Sequence, residues 1–125
     1  MKIDNYYVVG LIYQYMRERL KPPVFEMSID EFTHRSFSRS ACYDMIERIK
    51  EGSLLYSVAG IDAFFDYWIE KLDDWACAYK VQSMSYFFST QRDVVIDLRD
   101  YIIGNLSGEF PKAIAVRRFK RRFGL

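Results

Sequence analysis

The chain has one histidine, His34, two cysteines, Cys42 and Cys77, three prolines and six glycines in 125 residues. Each shortage removes a class of protein. A lone histidine without a C-x-x-C pair cannot assemble the ligand sets of a structural zinc site. A Ser-His-Asp or Cys-His relay would have to use His34, and no nucleophile motif stands near it. The glycines are scattered, so neither the phosphate-cradling G-x-x-x-x-G-K-[ST] nor the dinucleotide-binding G-x-G-x-x-G occurs. The longest strongly apolar run, YYVVGLIY from Tyr6 to Tyr13, is far shorter than the roughly 20 residues of a membrane-crossing helix. It also lacks the basic flank and small-residue cleavage site of a secretory signal. Two distant cysteines read as reduced thiols of a soluble, cytoplasmic protein. The expectation is a protein without metal, cofactor, membrane contact or catalytic activity.

What is present is apolar and helical. Half of the residues are hydrophobic and 18% are aromatic, too much for a disordered chain. A single domain of this length hides roughly two-thirds of its unfolded surface. Asp4 or Asn5 can cap a first helix to about Leu20, with Tyr6, Val9, Tyr13, Met16 and Leu20 at three- and four-residue steps; Pro22 and Pro23 end it. Ser28 with Glu31 forms a capping-box pattern for a short helix to about His34. A longer helix follows from Phe37 to Glu51, burying Ala41, Met45 and Ile49, with Gly52 as its stop. From Val58 to Tyr79 the residues Ile61, Phe65, Trp68, Leu72, Trp75 and Tyr79 make one amphipathic face. Met84, Phe88, Gln91, Val95, Leu98 and Ile102 make another, with Gly104-Asn105 as the stop. Pro111 suits the first turn of a last helix. The expected fold is all-α: a compact bundle of four main helices, a short helix, and a basic C-terminal helix. Residues 1–106 would form an acidic body and 107–125 a linker and basic helix of one domain.

Charge divides along the chain. Residues 1–109 hold 12 Lys and Arg against 17 Asp and Glu, a net of −5. Residues 110–125 hold Lys112, Arg117, Arg118, Lys120, Arg121 and Arg122 and no acid, a net of +6. Wound as a helix, this segment puts Val116, Phe119 and Phe123 on one stripe and a broad basic arc on the rest. Such an arc suits phosphate backbone or an acidic protein; cations at a helix C-terminus also complement its dipole. In the body, Asp62, Asp66, Glu70, Asp73 and Asp74 lie opposite the aromatic stripe of the third helix and are expected to face water as an acidic, partner-facing surface. The first helix is apolar on a second side, at Tyr7, Leu11 and Tyr15; left uncovered, that side would join two copies as a homodimer.

The run IDAFFDYWIEKLDDWACAYKVQSMSYFFSTQRDVVIDLRDY, Ile61 to Tyr101, resembles small uncharacterised helical proteins carried by bacterial phages and conjugative elements. The likeness rests on its helix pattern and on the K-x-D-x-x-A-C texture ending at Cys77. It implies an accessory protein of a mobile element, a class that includes anti-CRISPR inhibitors acting by binding, and it brings no residue roles. The functional expectation is therefore a non-catalytic protein that occupies a surface of a macromolecular partner, a protein rather than nucleic acid. The alternative is a nucleic-acid-binding module that uses the C-terminal basic helix.

Overall fold

A computed structural model describes residues 3–51 and 57–107. These fold into four helices: α1 (Asn5–Arg19), α2 (Ile29–Lys50), α3 (Val58–Ala78) and α4 (Gln82–Ser107). No strand occurs among the described residues. The expected basic helix, with Lys112, Arg117, Arg118, Lys120, Arg121 and Arg122, lies outside them.

Local chemistry sets the helix starts. Asp4 caps α1 by accepting from the Tyr7 amide at 2.8 Å. Ser28 caps α2 through the Glu31 amide at 3.2 Å, and Ser57 caps α3 through the Gly60 amide at 3.0 Å. Each satisfies a backbone donor that has no partner inside its helix.

Two boundaries differ from expectation. The short helix near Ser28–His34 and the Phe37–Glu51 helix are one element, α2. Nothing between them breaks a helix, and Ser36 and Ser38 hydroxyls donate back to the carbonyls of Phe32 and His34 at 2.9 and 2.8 Å, so the serines do not interrupt it. Likewise, α4 does not stop at Gly104-Asn105. Asn105 donates to the Tyr101 carbonyl at 2.8 Å, and continuing the helix packs Leu106 against the core.

Helix α4 is the centre of the bundle. All three other helices pack on it, most extensively α3, and α1 packs on α2 as well. Along α3 and α4 the pairs Ala76–Ser85, Asp73–Arg92 and Asp66–Arg99 make an antiparallel couple. His34–Tyr86 and Asp44–Gln91 run α2 parallel to α4. The amino ends of α2 and α4 and the carboxyl end of α3 therefore share one end of the molecule, with the two connectors 20–28 and 79–81.

The core joins Ile12, Met45, Ile49, Ile61, Phe65, Leu72, Val95, Leu98 and Ile102, all fully buried or nearly so. Burying each such side chain contributes roughly 1.5–3 kcal/mol. In α1 the buried residues are Val8, Leu11, Ile12, Tyr15 and Met16, whereas Tyr6 and Tyr13 of the expected inward stripe are exposed. The helix is turned from the expected register because it must face α2 and α4 together, which takes a wide apolar face.

Candidate functional site

The structure redistributes the acidic surface. Glu70, Asp73 and Asp74 are exposed as expected. Asp62 and Asp66 are not: Asp62 is 0% and Asp66 5% exposed. Asp66 lies on the side of α3 that α4 covers, where it pairs with the almost equally buried guanidinium of Arg99. Arg99 also donates from Nε to Asp100 at 3.3 Å. Carboxylates this deeply buried cannot meet a partner, so two of the five expected partner-facing acids, Asp62 and Asp66, do not belong to that surface. Asp73 also works inside the fold, accepting from Arg92 of α4 at 2.7 Å.

The second side of α1 is covered within the chain too. Leu11 and Tyr15 are core residues and Tyr7 is half-buried. The three do not form an exposed self-association patch. Tyr15 instead clamps α1 to α4, donating to Asp97 at 2.8 Å while Arg19 donates to the same carboxylate at 3.1 Å. Tyr101 returns a bond to Glu18 at 2.8 Å, and the Arg19 guanidinium lies 5.0 Å from the Tyr101 ring centre. Burial first, then the hydrogen bond to Asp97, pushes the Tyr15 phenol well above its ordinary value. On another flank, Arg48 of α2 lies over the Trp68 ring of α3 at 4.0 Å, a geometry in which cation and ring attract.

The cysteines are free, Cys42 buried and Cys77 exposed. Burial raises the Cys42 thiol to about 12, which leaves almost none of the nucleophilic thiolate at neutral pH. Treating the native protein with a thiol-reactive dye at pH 8 should label Cys77 quickly and Cys42 only after denaturant is added. Fast labelling of both would contradict this core.

What sequence reasoning missed is at the connector end. Twelve large hydrophobic side chains stand exposed among the described residues. Eight of them, Val24, Phe25, Ile29, Phe32, Tyr79, Val81, Met84 and Tyr86, belong to this one end. Phe25 is 96% exposed and Ile29 84%. Phe25 stacks on Phe32 with ring centres 6.4 Å apart. The Tyr86 hydroxyl meets His34 Nδ1 at 3.3 Å and its ring lies 6.0 Å from that of Phe37, which ties the α2 cluster to the α4 cluster. A signal was legible in PPVFEMSIDEF, where Val24, Phe25 and Ile29 sit in and beside a proline-led connector, off any helical stripe.

Comparison with protein-family models, curated proteins and solved structures returns no match.

Charge around this end is mixed. Residues 20–39 and 75–91 carry four Lys or Arg against three Asp or Glu, a net of +1; the other described residues carry seven against thirteen, a net of −6. Beside the apolar cluster, the end of α1 and the first turns of α2 enclose a cleft of about 240 Å³. Among the described residues no group of three or more His, Cys, Asp or Glu side chains comes together as a metal would require. No described helix is long and apolar enough to cross a membrane.

Proposed function

We propose that this chain is a non-catalytic binding protein that acts by occupying a surface of a partner protein, and that the connector end of the bundle is the face it uses. One observation carries the reading: the clustering of eight exposed large hydrophobics, led by Phe25 and Ile29, at a single end. Exposed apolar side chains gathered at one end of a folded domain mark an interaction site. An aromatic and aliphatic centre inside a polar rim is the build of a protein–protein interface.

Charge and side-chain type separate this from other partners. Nucleic-acid interfaces are polar and strongly positive, whereas Glu26, Asp30 and Glu31 lie among these apolar residues. The same three carboxylates would be repelled by an anionic lipid surface. The partner fits as a protein with an apolar patch of its own. The resemblance to mobile-element proteins makes a host nucleic-acid enzyme, of the kind anti-CRISPR proteins block, the partner class to test first. The exposed acids Glu70 and Asp74 of α3 supply a second contact that can stand where phosphates would.

A photo-reactive residue placed at 25, 29 or 81 in the full chain, irradiated in host cells, should join to one common protein. The same probe at position 6, comparably open on α1, should not. Cross-linking from α1 positions alone, or to nucleic acid, would overturn the reading; cross-linking of two copies of the chain would replace it with self-association.

A further inference from the structure

We propose that the cleft beside the connector end is a carboxylate seat, which receives an acidic side chain of the partner segment lying across the apolar end; this rests on the protein-binding reading above. The cleft is lined by Arg19, Leu20, Lys21, His34, Arg35 and Ser38. Three of the six are Lys or Arg and none is acidic, in a body whose described residues carry a net charge of −5. Such a local reversal of sign in a concave site concentrates anions.

The cations are held rather than loose. Arg35 donates to the Pro22 carbonyl at 3.2 Å and to Glu31 at 2.6 Å, which fixes its guanidinium under the connector. Arg19 is fixed by Asp97 and by the Tyr101 ring beneath it. The neighbouring Arg39 donates to the Leu20 carbonyl at 3.1 Å and pins the cleft floor. Pre-positioned donors reduce the ordering cost of binding. Asp97 and Glu31 already occupy part of Arg19 and Arg35, so the charge left over comes from Lys21, which has no ion-pair partner among the described residues, while the His34 ring, 3.3 Å from the Tyr86 hydroxyl, adds a hydrogen-bonding group to the wall.

Position links the seat to the apolar end. Arg35 lies one helical turn after Phe32, and Lys21 lies three residues before Val24. A partner segment that covers Phe25 and Phe32 therefore passes the mouth of the cleft, and an acid one or two turns from its apolar residues would enter it. Carboxylate is favoured over phosphate because Glu26, Asp30 and Glu31 border the approach, which a chain of phosphates could not avoid and a single side chain can.

The test uses the full chain and two probes, citrate and inorganic phosphate, followed residue by residue in proton–nitrogen NMR spectra at low salt. Citrate should shift the amides of residues 19–21 and 34–38 saturably. The Lys21→Gln/His34→Gln variant should bind it about tenfold more weakly with its spectrum elsewhere unchanged, since the charge-assisted contact of Lys21 and a ring hydrogen bond of His34 are lost. Absence of saturable citrate shifts there would overturn the seat, as would shifts that survive in the variant. Saturation by phosphate alone would overturn the carboxylate assignment. The measurement needs no partner, so its outcome is separate from that of the cross-linking: loss of the seat with cross-linking intact leaves the apolar end standing, and the converse leaves the seat.

Discussion

Replacing Asp66 by alanine should lower the free energy of unfolding by about 3–5 kcal/mol, because the change strands a buried guanidinium. Arg99 is 9% exposed and sits in the seam between α3 and α4. Without Asp66, Arg99 keeps the half-exposed Asp100 at Nε, 3.3 Å away, and loses the buried carboxylate that its terminal nitrogen meets. A domain of this size typically has about 5–15 kcal/mol in total, so the variant should melt lower by on the order of 10–20 °C. The pair itself is not what holds the seam together, since taking two charges out of water offsets most of their attraction. Asp66→Leu with Arg99→Met should therefore recover most of the loss. Urea denaturation followed by circular dichroism checks both variants. A cost below about 1 kcal/mol for Asp66→Ala would mean that the pair behaves as an exposed one.

How far the fold was legible depends on how many neighbours each helix has. Helices α3 and α4 carry clear apolar stripes, and Ile61, Phe65, Leu72, Val95, Leu98 and Ile102 are buried as their spacing predicts. Met84 and Tyr79, at the ends of the same stripes, are exposed, because the stripe runs past the core onto the connector end. The acids off the aromatic stripe of α3 read alike as solvent-facing, yet Asp62 and Asp66 are buried while Glu70, Asp73 and Asp74 are exposed. The clue was Arg99: it falls four residues after Val95 and three before Ile102, inside the buried stripe of α4, and a cation in that register requires an acid across from it. Helix α1 was ambiguous for another reason. Apolar residues surround it, so periodicity could not choose between the Tyr13 side and the Leu11 side; the hydroxyl-to-carboxylate bonds of Tyr15 and Tyr101 with α4 and α1 acids favour the latter. Among the candidate site residues, Glu70, Asp73 and Asp74 stand where the sequence put them. The apolar connector was overlooked because hydrophobic residues outside a period look like filler until the structure shows that no described residue covers them.

Substituting Phe25 and Ile29 together by glutamate should abolish partner binding, weakening it by about 100-fold or more, while leaving the fold intact. Central apolar residues of an interface each account for about 2 kcal/mol or more on truncation, and a charge in their place must also be desolvated. The fold should not notice. Phe25 makes its one ring contact with the partly exposed Phe32, and Ile29 is the first residue of α2, where an added carboxylate complements the helix dipole. The most direct measurement of the central claim is the affinity of the cross-linked partner, once purified, for three proteins of equal melting temperature: the wild type, Phe25→Glu/Ile29→Glu, and the control Tyr6→Glu at an equally open site on α1. Binding lost in the double variant and kept in the control is the predicted result. Equal affinity for all three would contradict the assignment of function to the connector end.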